Sequence, residues 1–134
     1  MGVRYEIDPE HRLVTTTLSG TLSFDDCVAH HHALAADPTF DPSYHELIDG
    51  SGVEKVTLIS SAVFSLTMSC PYGPHARRAI STGDKKINFA LARMFQSLSG
   101  GKLGEIEVFK CRQEALRWLE ADARPDESAP ETSE

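Results

Sequence analysis

The alternation of hydrophobic and polar residues at the start of the chain predicts a pair of strands. Val3, Tyr5 and Ile7 alternate with polar neighbours, and this period of two is typical of a half-buried strand. Residues 8–11 carry turn-forming side chains, and residues 13–18 form a second run rich in leucine, valine and threonine. We therefore expect a β-hairpin here.

Apolar residues then recur at helical spacing in four separate segments. The first segment follows Ser23, which forms a capping-box-like start with Asp26, and it stops before Pro38. Thr57 and Asp84 are candidate caps for the second and third segments. The fourth segment follows the last predicted strand, so four helices are expected.

Three further strands are predicted between these helices, at residues 44–49, 75–81 and 105–108. Residues 50–52, with two glycines, should break the first of these strands, and residues 100–101 should end the third helix. The order is therefore β-β-α-β-α-β-α-β-α. Strands that alternate with helices favour an α/β fold, here a mixed sheet of about five strands with four helices.

Length and charge divide the chain into a single domain, residues 1–121, and a tail, residues 122–134. The 134 residues suit one domain. The tail is rich in proline, serine and acidic residues, so we expect it to be disordered. It holds five acids and one base and accounts for more than half of the net charge of −7. A mildly acidic body argues against nucleic acid as a partner.

The expected cellular compartment rests on features that the sequence lacks. No apolar run approaches the length of a membrane span, and the first residues have no apolar signal core. Cys27, Cys70 and Cys111 are far apart and form no disulfide framework. We therefore expect a cytoplasmic protein with free thiols and no membrane span.

The order and spacing of these elements resemble the STAS domain superfamily. The nearer resemblance is to bacterial stand-alone proteins called SpoIIAA-like, which are similar to anti-sigma-factor antagonists. The segments that carry it are residues 3–7, 18–20, 46–53, 76–80, 90–95, 108–109 and 114–119. The resemblance implies a STAS/SpoIIAA-like domain that acts by binding.

Phosphorylation switches some STAS proteins at a serine that begins the second helix. Their pattern is Asp-x-Ser-Gly-Val, three more residues, then Asp-Ser-Ser-Gly. Here Asp49 and Ser51 match its first part, and an ungapped count places Thr57 on the second aspartate and hydrophobic residues on both serines. A two-residue insertion would bring Ser60 and Ser61 into the serine positions, but without the aspartate and glycine. We predict that this chain lacks the switch, which intact-mass analysis of protein from its native host can check.

A basic stretch in the middle of the chain is a candidate surface for a ligand or partner. Its members, with two large apolar residues beside them, are Arg77, Arg78, Lys85, Lys86, Arg93, Met94 and Phe95. Cations near a helix N-terminus favour an anionic head group, although such charges can also simply balance an acidic chain. Aromatic and methionine side chains, namely Met68, Tyr72, Met94, Phe95 and Trp118, could line a cleft or a dimer interface or be plain core.

Metal binding and catalysis are weakly supported. His30, His31 and His32 are consecutive, so in a helix they point about 100° apart. His31 falls on the apolar stripe, and the other two flank it. The cysteines and serines show no nucleophile motif with a base and an orienting acid. We therefore expect no metal, no cofactor and no enzyme activity.

Two functions remain open. The first is a non-catalytic regulatory module that binds a protein partner or pairs with itself as a homodimer. The second is a carrier or sensor of a small apolar or anionic ligand in a cleft between sheet and helices. An exposed apolar patch of several hundred Å² would favour the first. A pocket with convergent polar groups would favour the second.

Overall fold

The structure, a computed structural model, describes residues 2–58, 60–73, 75–99 and 105–122. Within these ranges it contains five strands and four helices in the predicted order. They are β1 (Val3–Asp8), β2 (Leu13–Leu22), α1 (Phe24–Ala36), β3 (His45–Val56), α2 (Ser60–Met68), β4 (Arg77–Ser81), α3 (Lys86–Ser99), β5 (Glu105–Phe109) and α4 (Arg112–Asp122). The predicted α/β fold is confirmed. None of these helices combines the length and apolar character that crossing a membrane requires.

The sheet has the strand order β1-β2-β3-β4-β5, with β1 antiparallel to β2 and the other pairs parallel. The strands thus advance in one direction, and right-handed crossovers then place α1, α2 and α3 on one face. The packing agrees. Ile48 and Ile80 pack with Ala92 of α3, whereas Leu47 and Ala79 of the same strands pack against α4 on the opposite face.

The first helix begins and ends where the sequence predicts. Ser23 is its N-cap and accepts a hydrogen bond from the Asp26 amide at 3.2 Å. Asp37 is its C-cap, directly before Pro38. Because proline disfavours helical geometry in the residue before it, the helix could not continue.

The expected break at residues 50–52 is wrong, because β3 continues to Val56. Its second half pairs with the end of β2, with register shifts between Thr17 and Ser19 and between Gly20 and Thr21. Glycine permits this close approach: a Cβ on Gly52 would lie 3.1 Å from the Leu18 carbonyl oxygen. Gly52 therefore serves an irregular strand pair and not a turn.

Two helices begin later than the sequence predicts. The Thr57 amide donates to the Leu22 carbonyl, and α2 begins only at Ser60, so Thr57 does not cap that helix. Asp84 precedes α3, which starts at Lys86, by one residue more than a cap would. The predicted helix end at residues 100–101 and the tail from residue 123 lie outside the described residues.

Candidate functional site

A pair of opposite charges lies on the sheet face that α1, α2 and α3 cover. Glu46 is the second residue of β3 and Arg78 the second of β4, and the two are directly opposite in register. Residues paired in this way project to the same face of a sheet. Arg78 Nε donates to Glu46 Oε1 at 3.1 Å, and the two side chains are only 3% and 2% exposed.

The second carboxylate oxygen of Glu46 is also held. Thr16 Oγ1 on β2 donates to Oε2 at 2.6 Å, and His30 Nε2 on α1 lies 3.6 Å from the same oxygen. Burial opposes ionisation of Glu46 most strongly. The imidazole of His30, the charge of Arg78 and the Thr16 hydroxyl outweigh it and hold the pKa of Glu46 at about 2. Glu46 is therefore a carboxylate at neutral pH.

Two aromatic rings fix the guanidinium of Arg78 in place. Its Cζ lies 5.2 Å from the ring centroid of Tyr72 and 5.3 Å from that of Phe95. These distances suit cation–π contact, and a planar guanidinium stacks well on aromatic faces. Arg78 is consequently held between a loop residue and a residue of α3, while its Nε remains on Glu46.

A cavity of about 160 Å³ opens beside this pair, between the sheet and the three helices. Its apolar walls include Leu18, Ile48, Val53, Val56, Val63, Leu66 and Ile80. The strand register separates the two kinds of lining. Glu46 and Arg78 lie near the amino ends of the parallel strands, whereas Val53 and Val56 follow toward the carboxyl end of β3. The cavity therefore has one polar end and an apolar body.

Three polar atoms of the lining are buried without a hydrogen-bond partner among the described residues. They are Arg78 Nη1, the Tyr72 hydroxyl oxygen and His30 Nδ1. Burial, followed by the nearby Glu46 carboxylate, raises the pKa of Tyr72, so its hydroxyl keeps its proton. Leaving such a group unpaired costs about 1–3 kcal/mol, and native proteins contain few of them. These atoms are the groups that a bound molecule would engage.

The nucleophiles near the cavity are poorly activated. His31 Nδ1 lies 2.9 Å from Ser69 Oγ, but burial and then the charge of Arg78 lower the pKa of His31 to about 4. A base of this pKa is weak at neutral pH. Glu46 is already bound by Arg78 and Thr16. Burial raises the pKa of Cys27 to about 11, so its thiol stays protonated.

The structure divides the basic surface predicted from the sequence. Arg78 and Phe95 come together at the cavity. Arg77, the neighbour of Arg78, points to the opposite face of the sheet. There it stacks over the Trp118 ring of α4 at 5.3 Å and pairs with Glu105 at 2.6 Å.

The remaining members of that surface belong to α3 and the turn before it. Lys85 Nζ donates to the Val53 carbonyl oxygen at 2.7 Å, and Lys86 and Arg93 are exposed. The side chain of Met94 lies outside the described part of the chain. Among the other aromatic and methionine candidates, Tyr72 lines the cavity with Phe95, whereas Met68 is 69% exposed.

The residues equivalent to the switch loop separate into two elements. Asp49 and Ser51 lie in β3, where Asp49 Oδ1 accepts from the Ser51 hydroxyl at 2.8 Å and Oδ2 lies 3.3 Å from Arg112 Nη1. Ser60 and Ser61 instead begin α2, and Ser61 is exposed. The absence of a phosphorylation switch stays a prediction.

Sequence reasoning passed over Glu46, Thr16 and His30 as site residues. A partial signal for the charged pair was present in the sequence, because Glu46 and Arg78 each directly precede two apolar residues of a predicted strand. Strands of a parallel sheet are commonly covered on both faces, so a charge within one calls for a buried partner. The register that joins the two charges was not readable from the sequence.

Comparison with known proteins supports the fold. No protein-family model matches the chain, and no curated protein matches it. A solved structure that resembles it is an uncharacterized protein of the DUF3478 family from Shewanella loihica PV-4, with a SpoIIAA-like fold. The TM-score is 0.55 at 20% sequence identity, over 87% of this chain and 91% of that one. The chain therefore has a SpoIIAA-like fold, as its sequence predicts, and a likeness at this identity shows no more than the fold.

Proposed function

We propose that this chain is a non-catalytic domain that binds a small, mostly apolar molecule in the cavity between its sheet and helices α1, α2 and α3. The observation that carries the proposal is a set of buried polar atoms, without partners in the part of the chain that the structure describes, at one end of an apolar cavity. A bound molecule with a polar end would satisfy them, and its body would fill the aliphatic part.

The size of the cavity limits the ligand. An engineered apolar cavity of about 150 Å³ in another protein holds benzene, and the volume here is about 160 Å³. Pockets for drug-sized molecules are larger, about 300–1,000 Å³. A single small ring or a short branched chain fits this space, and a long lipid chain does not.

A titration with toluene, followed in amide ¹H–¹⁵N NMR spectra, tests the proposal. We expect saturable shifts at residues that line the cavity, such as Ile48, Val63 and Ala92. Absence of saturable shifts at these amides would contradict the proposal.

A matched pair of variants locates the binding. A Cβ on Gly50 would meet its nearest neighbours, Ser81 O and Leu18 Cδ1, at ordinary distances of 3.6 and 3.9 Å. Because Gly50 lines the cavity, we expect the two further methyl groups of Gly50→Val to occupy part of it. This variant should weaken toluene binding at least tenfold. Glu54→Val places the same side chain at an exposed position of the same strand and should leave binding unchanged.

A protein-interaction module is the second candidate. Phe64 and Met68 lie four residues apart on α2 and are 48% and 69% exposed, so they share one outward face. Such side chains are enriched at interfaces. Light scattering at high micromolar concentration should give a dimer mass that Met68→Glu lowers. A monomer mass for the unaltered protein would contradict self-association.

A further inference from the structure

We infer that the cavity selects a neutral ligand whose one polar group is a hydrogen-bond-accepting oxygen, such as a ketone or ester carbonyl. This inference rests on the proposed function and names the chemistry of its ligand. It follows from the donors left at the polar end of the cavity and from the charge balance there.

Two of the three buried atoms that lack a partner among the described residues call for an acceptor, and the third, His30 Nδ1, can donate or accept according to its tautomer. Arg78 Nη1 carries only N–H groups, so it can donate and cannot accept. Its Nε is already used by Glu46, and Nη1 has no partner among the described residues. The Tyr72 hydroxyl, whose ring stacks on the same guanidinium, is a second donor that makes no hydrogen bond of ordinary geometry with a described residue, although the Glu46 carboxylate is near enough to raise its pKa. Both side chains are at most 4% exposed. One carbonyl oxygen has two lone pairs and can accept from both.

The charges at this end disfavour a carboxylate. Glu46 and Arg78 are the only acidic side chain and the only lysine or arginine among the described residues that line the cavity, and they neutralise each other. The lining also holds His30 and His31, which add no charge while their imidazoles are neutral. An anionic ligand would add an uncompensated negative charge beside the Glu46 carboxylate. Burying a charge without a counter-charge is strongly unfavourable, whereas a neutral carbonyl needs only the two hydrogen bonds.

The apolar body of the cavity sets the rest of the ligand. From the polar row at Glu46 and Arg78, the lining continues through Ile48 and Ile80 to Val53. A ligand with its carbonyl at one edge and an otherwise hydrocarbon frame can satisfy both regions. A second polar group would lie mostly against aliphatic side chains, at a cost in binding, because the hydroxyl of Thr82 at the far end already donates to backbone carbonyls.

Three ring compounds of similar size separate these features, and all are titrated into the full chain by calorimetry at pH 7.5. Cyclohexanone carries the carbonyl, methylenecyclohexane replaces its oxygen with CH₂, and cyclohexanecarboxylate carries a charge. We expect both neutral rings to bind and the carboxylate to bind at least tenfold more weakly than the ketone. The two neutral dissociation constants give a selectivity ratio that does not depend on the shared ring.

Two tyrosine variants test whether the polar end of the cavity recognises the carbonyl oxygen of the ligand. Tyr72→Phe removes an unpartnered hydroxyl, so it should fold with an unchanged or higher Tm, while the preference for ketone over alkene falls about tenfold, the effect of one hydrogen bond. Tyr5→Phe is the control. It removes the 2.9 Å bond to Asp37, outside the cavity lining, so Tm should fall and the preference should not.

The outcomes distinguish the inference from the function on which it rests. A selectivity ratio that is the same in the unaltered protein and in Tyr72→Phe would overturn the inference, although binding of both rings would uphold the proposed function. Tighter binding of the carboxylate than of the ketone would also overturn the inference and uphold the proposed function. If none of the three compounds binds, the proposed function fails and the inference fails with it.

Discussion

Glu46 and Arg78 are far costlier to bury than aliphatic side chains would be at the same positions, because both lose their hydration. In other proteins, buried ion pairs replaced by apolar residues of similar volume are often no less stable. The pair is therefore poorly explained by stability alone. Its position beside a cavity, where Arg78 Nη1 has no partner among the described residues, supports the proposed recognition of a ligand.

A double-mutant cycle tests how the two charges depend on each other. Glu46→Leu and Arg78→Met should each lower the free energy of unfolding by about 3–5 kcal/mol, because each leaves one buried charge unpaired. The double variant should lose far less than the sum of the two, which urea unfolding can measure. Additive losses would mean that the charges are not coupled.

The histidines of α1 predict a pH dependence. Burial and the charge of Arg78 lower the pKa of His31 to about 4, below its usual 6.5. The unfolded chain therefore binds this proton first as pH falls, so stability is full above pH 6.5 and declines toward pH 4. His31→Gln should remove about 3 kcal/mol of this decline, measured by urea unfolding at several pH values. His32→Gln, at an exposed position, should leave the decline in stability unchanged.

Glu46 contributes in a lower pH range. Its folded pKa of about 2 lies below the ordinary 4.5, so its contribution is present above pH 4.5 and is lost as pH falls toward 2. Loss of stability above pH 4.5 cannot come from this carboxylate. The two groups can thus be separated on one pH series.

The irregular pairing of β2 with β3 depends on backbone conformation more than on side-chain packing. Gly20 has φ +66°, and a Cβ there would have nothing within 4 Å, so any penalty for alanine comes from the backbone. Gly20→Ala should lower the free energy of unfolding by about 1 kcal/mol. Gly50→Ala, where φ is ordinary for any residue, should be neutral or slightly stabilising. Equal effects in urea unfolding would contradict this explanation.

The same strands show which parts of the fold the sequence predicts. Alternating and helical periods identified every described element, because burial of one face imposes them locally. Residues 50–52 were misread, because glycines permit a turn and an irregular strand equally well, and only the partner strand decides. Arg77 and Arg78 were likewise predicted to share one surface, because the sequence does not show which side of the sheet each residue faces. Which arginine faces inward depends on the sheet face that each helix covers.

The site was less predictable than the fold because its parts are far apart in sequence. Thirty-two residues separate Glu46 from Arg78, and their contact exists only in one strand register. Tyr72 comes from a loop with no periodicity to place it. Composition and spacing could therefore name a cleft between sheet and helices, but not the charged pair at its end.

On the scale of the whole molecule, the acidic tail is expected to add no stability. Its composition cannot bury enough apolar surface to offset the entropy of ordering. Deleting residues 126–134 should leave Tm within about 2 °C, as measured by calorimetry. A larger fall would show that the tail docks on the domain.

The strand order also bears on how the chain is made. Each strand pairs with the strand that precedes it in sequence, so none has to insert between two strands that are already paired. Every described residue that lines the cavity lies in the range 3–95, before β5 begins at Glu105. A domain generally folds as a unit, and its N-terminal residues leave the ribosome first. The residues of the pocket walls are therefore all synthesised before the last strand, whose Ile106 and Val108 then complete the core beside Ala92 of α3.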